Sequence, residues 1–261
     1  MHSLEIELLR RIEASQIGAA HRGREVIETG SFITLLTPET DLVWLNYAVP
    51  TASDFSKERI EELKAAFAPL KRTPRLEFLE TLWPELVPAL EANGFELQVR
   101  LPLMLCTKST FKPAERKEID VKPLDENGDL GGYLQVMRDA FGDAEPVGEA
   151  DIKRVKLSIQ RDPTKRSLAF CEGQPAAVAC LMPESGVAEL AGVGTAEGFR
   201  RKGLASAASS LLLEDYFNAP GGDEAIAWLG AGDDTARLVY EKLGFQSIGT
   251  QSHYILAGAS V

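Results

Sequence analysis

Val193-Gly194-Thr195 and, after four intervening residues, Arg200-Arg201-Lys202-Gly203-Leu204-Ala205 form the stretch on which the reading of this chain turns. A run that reads as a strand ends in a basic, glycine-containing turn, and the turn opens a segment that reads as a helix. The first amides of a helix have no partner within it, and the helix dipole adds positive potential at that end. A turn of this kind cradles phosphate groups on backbone N–H donors. Gly203 has no Cβ and lets an oxygen approach the main chain closely, and Ala205 is small for a similar reason. Arg200 and Arg201, with Lys202 beside them, bring charge suited to a pyrophosphate or to a further phosphate. A surface helix with a solvated basic turn fits the same residues equally well, so the surroundings decide.

Upstream, the runs 166–171, 175–182 and 187–195 read as three strands separated by Glu172-Gly173-Gln174 and Pro183-Glu184-Ser185-Gly186, short turns that predict an antiparallel meander. Before them, 130–141 and 150–160 read as helices joined by a loop with acidic Asp143 and Glu145. Downstream, the helix from Gly203 runs to Asn218 and stops before Pro220-Gly221-Gly222. A strand over 225–229, a helix over 235–243 and closing strand residues over 245–256 follow.

In this setting the residues resemble the GNAT superfamily of N-acetyltransferases. That family's cofactor loop reads Arg or Gln, two residues, Gly, one residue, Gly or Ala, and Arg200 to Ala205 fits each fixed position. Glu189-Leu190-Ala191-Gly192-Val193-Gly194-Thr195 looks like its fourth strand, and Asp233-Asp234-Thr235-Ala236, Tyr240 and Gly244-Phe245 look like its second signature, with Asp233 where Asn is common. The resemblance implies a GNAT fold of mixed α/β (α+β) class, a central, mostly antiparallel twisted sheet flanked by helices. It implies acetyl-CoA as cosubstrate, with the pyrophosphate on Arg200, Arg201, Lys202, Gly203, Leu204 and Ala205. A bulge would splay the strand so that pantetheine pairs with the amides of Val193, Gly194 and Thr195. Asp233 stands at a further cofactor contact, although an aspartate accepts hydrogen bonds and cannot donate one.

Acetyl transfer from a thioester needs a neutral amine, an oxyanion donor and a proton for the departing thiolate. Tyr240, shortly before the Gly-Phe turn, is the candidate proton donor, set against its reading as an aromatic core anchor. A backbone N–H near Val193 is the candidate oxyanion donor. Glu189, the carboxylate inside the strand, is the candidate base, although a bulge between Glu189 and Val193 changes which face it occupies. Asp143, Glu145 and Glu149 read either as an amine-binding rim or as a solvated acidic loop.

In the first half, 4–23 reads as helical, 31–37 and 41–49 as strands, a helix opens at Ser56 and stops at Pro69, and 75–80 reads as a strand. A helix follows through Ala92, then strand residues over 95–106, either one strand or a pair broken at Pro102. Leu90 to Glu96 echoes Tyr240 to Gln246, which predicts a tandem duplication. The first half's counterpart of the cofactor loop, Val49-Pro50-Thr51-Ala52-Ser53-Asp54-Phe55, has no Arg and no Gly. The expected organisation is thus a degenerate GNAT-like module over 1–110, a polar linker over 111–122 and an acetyl-CoA-binding module over 123–261.

Bulk properties fit this reading. The 261 residues are 44% hydrophobic and 26% charged, the composition of a soluble globular chain with room for two cores. No run of about 18 apolar residues is present and the start lacks a secretory pattern, so the expectation is a cytoplasmic protein with no membrane partner. Cys106, Cys171 and Cys180 lack paired spacing and His2, His21 and His253 are scattered, so neither disulfides nor a metal site are expected. A net charge of -11 argues against a nucleic-acid partner and suits an amine acceptor, either a small molecule or a peptide amine. Two other functions fit the motifs: a non-catalytic acyl-CoA-binding or sensing protein, and an aminoacyl transferase using charged tRNA, the latter disfavoured by the acidity.

Overall fold

A computed structural model describes residues 3–115 and 119–258, so residues 116–118 of the expected linker and His2 lie outside the described residues. The chain divides into two compact units, and the division is not contiguous.

The first unit comprises Met1–Leu103, Gly230–Gly232 and Ser247–Val261. Its elements are α1 (Ser3–Ala20), β1 (Glu25–Thr29), β2 (Phe32–Leu36), β3 (Tyr47–Pro50), α2 (Lys57–Ala66), β4 (Arg75–Leu79), α3 (Leu86–Ala92) and β5 (Phe95–Thr107), whose residues from Met104 belong to the second unit. The second unit, Met104–Leu229 and Asp233–Gln246, holds β6 (Asp120–Pro123), α4 (Leu130–Phe141), α5 (Glu149–Arg161), β7 (Lys165–Cys171), β8 (Gln174–Glu184), β9 (Val187–Thr195), α6 (Leu204–Asn218), β10 (Ile226–Gly230, its last residue in the first unit) and α7 (Asp234–Lys242). The last strand, β11 (Gln246–Leu256), belongs to the first unit from Ser247 onward.

Both units are mixed α/β with mostly antiparallel strands. In the first the neighbour order is β1-β2-β3-β4-β11-β5, and in the second it is β6-β7-β8-β9-β10. The predicted meander β7-β8-β9 is antiparallel throughout, and only the last neighbour, β10, runs parallel to β9. In the second unit's core, Leu130, Tyr133 and Val136 of α4 meet Leu168 and Val178 of the sheet. Asp129 starts α4 by accepting from the Gly132 amide at 2.8 Å, the exchange expected of an aspartate N-cap.

Several boundaries differ from the sequence reading. β1 is an extra edge strand whose Glu25 and Glu28 interrupt the apolar pattern. Residues 41–49 form a short 3-10 turn, Val43–Leu45, before β3. β6, lying partly in the expected linker, pairs with β7 from Asp120↔Phe170 to Pro123↔Ser167. Its lysine and proline suit an edge strand, which needs fewer amide donors and resists further pairing. β5 continues through Pro102, which has no N–H to satisfy and whose carbonyl accepts from the Ala231 amide at 3.0 Å.

β11 is held in the first unit by more than its ladder with β4, which runs from Gln251↔Leu79 to Ile255↔Arg75. Arg75 Nη2 lies 2.8 Å from His253 Nδ1, and Arg75 Nε donates to Gln98 at 2.8 Å. A guanidinium only donates, so Nδ1 accepts and the ring carries its proton on Nε2. The ring is 9% exposed. Burial is the main cause lowering the His253 pKa; the Glu77 charge opposes it and the Arg75 charge adds to it. The folded chain therefore binds fewer protons here than the unfolded chain once pH drops below the ordinary histidine range. Stability from the neutral ring is complete above that range and is lost as pH falls through it. Thermal unfolding between about pH 7.5 and about pH 5.5 is expected to show a falling midpoint, and a shallower fall in His253→Gln; equal slopes would remove His253 as the cause.

Candidate functional site

β9 carries one residue more than its neighbour accommodates. The ladder with β8 pairs Gly194 with Val178 and Ala191 with Cys180, so Ala179 stands against both Gly192 and Val193. This is a β-bulge, and Gly192 takes it up at φ 56°, a conformation that costs glycine nothing. The parallel ladder with β10 pairs Val187, Ala188 and Glu189 with Ile226, Ala227 and Trp228 and goes no further. Beyond Glu189 the β10-facing edge of β9 opens. The bulge and opening expected over Glu189 to Val193 are both present.

The strand then feeds a short 3-10 turn, Glu197–Phe199, and the basic loop. Arg201 at φ 64° and Gly203 at φ 78° turn the chain through the left-handed region into α6. Gly203 is the N-cap, and no described side chain caps the helix, so its first amides have no side-chain acceptor among the described residues. Among the described residues, a Cβ on Gly203 would meet only Ile119 Cδ1, at 4.0 Å. Arg200, Arg201, Lys202 and Gly203 are exposed, Leu204 is buried and Ala205 half-buried. Arg200 Nε reaches back to the Thr195 carbonyl at 3.4 Å, and Lys202 lies over the Phe199 ring with its ammonium 5.4 Å from the centroid. Positive potential and free amides thus face the same space.

Tyr240, on α7, is 8% exposed and meets the Phe245 ring edge-on at 5.9 Å. Its hydroxyl makes no hydrogen bond to a described residue, yet it is not among the enclosed polar atoms lacking a partner. The ring is therefore packed while the oxygen reaches open space. Burial, with smaller effects from Asp233 and Cys180, pushes its pKa up to about 12. The two sequence readings of this residue combine: it anchors the core and presents a protonated hydroxyl.

Glu189 is half-buried and stands in register with Met182 and Trp228. It shares a strand face with Ala191, Cys180 and Arg166. Its charge raises the pKa of Cys180, whose thiol is pushed up to about 12, mainly by burial. Asp233 serves a structural purpose: its carboxylate caps α7 by accepting from the Ala236 amide at 2.7 Å. Of the acidic loop, Asp143 is engaged by Arg138 at 3.4 Å, while Glu145 and Glu149 stand exposed.

Residues 167–255 match the model of the family described as FR47-like protein. No curated protein matches the chain. Among solved structures, a GCN5-related N-acetyltransferase from Kribbella flavida superposes with a TM-score of 0.78 at 24% identity, covering 96% of this chain and 96% of that one. The chain therefore has the fold of the GCN5-related N-acetyltransferase structures it matches. The chain also resembles a GCN5-related N-acetyltransferase from Sphaerobacter thermophilus, with a TM-score of 0.58, 14% identity and coverage of 97% and 93%. A tandem GNAT protein from the clavulanic acid biosynthesis pathway matches at 0.56, with 12% identity and coverage of 98% and 96%. No described helix of the chain is long and apolar enough to cross a membrane.

Two residues escaped the sequence reading. Cys180 counted only as an apolar cysteine, yet its Sγ donates to the Ala191 carbonyl at 3.0 Å beside the bulge. Met137 lay unremarked in α4, and its Cε would stand 3.4 Å from a Cβ on Gly192. The Gly-Val-Gly inside a strand was the signal for this close approach. In the first unit, in the loop before α2, Asp54 accepts from the Ser56 amide at 3.1 Å and pairs with Arg59 at 3.2 Å. The Ser56 backbone bond, first among several, holds Asp54 below the usual carboxylate range.

Gly194 fits where no side chain would, since its Cβ would lie 2.6 Å from Ala140 Cβ of α4. Gly194→Ala is expected to lower stability by about 1–3 kcal/mol, read as a lower melting temperature, because α4 must move off β9. An unchanged midpoint would show that this packing yields.

Proposed function

We propose that the chain is an acetyl-CoA-dependent N-acetyltransferase, transferring the acetyl group to a primary amine by direct attack in a ternary complex. The observation that carries this reading is the adjacency of an uncapped, basic helix start at Gly203 to a bulged, opened strand edge at Gly192–Val193. A long ligand with phosphates at one end and amide groups along its length complements both. When bound, acetyl-CoA supplies the acyl group already activated as a thioester.

The chain's own groups fit the remaining tasks. The α6 amides with Arg200, Arg201 and Lys202 hold the pyrophosphate, and the β9 amides from Val193 to Thr195 align the pantetheine. The Val193 amide polarises the carbonyl at the bulge. Glu189 takes the amine's proton, directly or through water, as the new C–N bond forms. Tyr240 gives its hydroxyl proton to the sulfur as the C–S bond breaks, so the proton removed from the amine is matched by one delivered to the thiol. The thiol near these groups, Cys180, is pushed up to about 12 and remains uncharged, which favours direct attack over an acyl-cysteine route.

The first half supports a subsidiary role. Residues 1–110 read as a degenerate GNAT-like module of a tandem arrangement, because Asp54 fills the place that an anion would take. One cofactor per chain follows. The acceptor class is a small-molecule or peptide amine, and the setting is cytoplasmic.

Saturating acetyl-CoA is expected to stabilise the fold, by about 2.7 kcal/mol at a hundredfold excess over Kd, and Arg200→Glu to abolish most of that shift. No shift with any CoA would sink the cofactor assignment. Tyr240→Phe is expected to keep acetyl-CoA binding and lower kcat by about 10²–10⁴-fold. With a pKa of about 12, Tyr240 stays protonated at any working pH, so the wild-type rate should show no alkaline decline from its ionisation. Undiminished kcat in Tyr240→Phe would transfer the donor role elsewhere.

A further inference from the structure

We propose that Cys171, at the end of β7, is a thiolation site for anionic low-molecular-weight disulfides, and that the adduct on its sulfur closes the basic loop to the cofactor's pyrophosphate; the closure rests on the cofactor reading above. Lys202 Nζ lies 3.9 Å from Cys171 Sγ, so a thiol and an ammonium 31 residues apart in the chain come together. Cys171 is half-buried and Lys202 exposed, so the pair stands at the surface. The same ammonium lies over the Phe199 ring, 5.4 Å from its centroid.

The elements that carry the pair are fastened to one another. Ser167, further back on β7, is fully buried, and its hydroxyl donates to the Ala208 carbonyl of α6 at 2.8 Å. Ala196, where the chain turns toward the basic loop, donates its amide to the Ala176 carbonyl of β8 at 2.9 Å. Cys171 closes the β7–β8 hairpin opposite Gln174, around Glu172 and Gly173 at φ 53° and 79°. Strand, hairpin and helix together hold the sulfur beside the ammonium.

The other two thiols lack this setting. Cys106 is buried, and Cys180 donates to the Ala191 carbonyl at 3.0 Å. Burial pushes their pKa values up to about 11 and about 12 respectively. Lys202 shares its loop with Arg200 and Arg201, and the acids nearest the pair in sequence are Glu172 and Glu197, so this patch is positive in a chain of net charge -11. Such a patch draws in anions, and a partly exposed cysteine beside a lysine is the kind that exchanges. Cys171 Sγ, as thiolate, attacks one sulfur of the disulfide. The new S–S bond forms as the old one breaks, and the other half leaves as a thiolate that takes up the proton Cys171 released. Cys171 is thereby oxidised and the leaving half reduced, with no further reagent. The group left on Sγ begins 3.9 Å from an ammonium assigned to the pyrophosphate, and its negative charge competes for that ammonium.

The test treats native wild type, Cys171→Ser and Lys202→Gln with oxidised glutathione, which is anionic, or cystamine, which is cationic, and locates adducts by peptide mass spectrometry. Cys171 should carry the glutathione adduct while Cys106 and Cys180 stay free, and Cys171→Ser should take up none. An ammonium about 4 Å away favours an anion by roughly fivefold in water, so Lys202→Gln should slow the reaction with oxidised glutathione by about fivefold and not slow that with cystamine. In calorimetry, thiolated wild type should bind acetyl-CoA at least about tenfold more weakly, the loss expected for one charge-assisted hydrogen bond, with recovery after dithiothreitol. Cys171→Ser should bind acetyl-CoA as wild type does, before and after treatment. Adducts on Cys106 or Cys180 ahead of Cys171, or wild-type rates with both reagents in Lys202→Gln, overturn the site. Thiolated protein that keeps its acetyl-CoA affinity overturns the closure and leaves the cofactor reading standing. Untreated protein that binds no acetyl-CoA overturns the cofactor reading and the closure together, while the exchange rates still decide the site.

Discussion

Ala179 of β8 faces two residues of β9, and the second unit's candidate site depends on that mismatch. A ladder with one residue too many cannot stay in register, so the strand must buckle, and the left-handed backbone of Gly192 absorbs the excess. The strand leaves β10 after Glu189, and its close fit to α4 at Gly194 keeps the displaced segment in place. Backbone groups that have lost their ladder partners need others. A few residues on, α6 begins without a side-chain cap, so a second set of backbone donors waits at the end of the same strand.

Charge differs sharply between the loop before α6 and the loop before α2. Against a net charge of -11 for the chain, the loop before α6 concentrates Arg200, Arg201 and Lys202. The loop before α2 carries Asp54, whose carboxylate takes the Ser56 amide and is neutralised by Arg59. No described side chain takes the first amides of α6, whereas at α2 the Ser56 amide is taken by the chain's own aspartate.

Most of the fold was legible in the residues because local rules dictated it. α4, from Asp129 as cap to Phe141, and β9, from Val187 to Thr195, fall where apolar spacing and turn residues put them. β1 and β6 were missed because Glu25, Glu28, Lys122 and Pro123 give an edge strand the composition of a loop. The basic loop and Tyr240 were likewise legible, since both follow from motif spacing. Met137 and Cys180 were not, because their importance comes from distances across three elements that lie far apart in sequence.

The sequence by itself determined where strand, turn and helix succeed one another, and therefore that amides, arginines and a tyrosine hydroxyl would be available in the second half. Only the tertiary structure decided which face of β9 carries Glu189, how tightly Cys180 and Met137 pack over Gly192, and that β11 belongs with β4. The physical reason is the same in each case. Strand faces, contact depths and pairing partners depend on register and on long-range packing, as when Arg75 takes His253 as its acceptor, and a local pattern is compatible with more than one register.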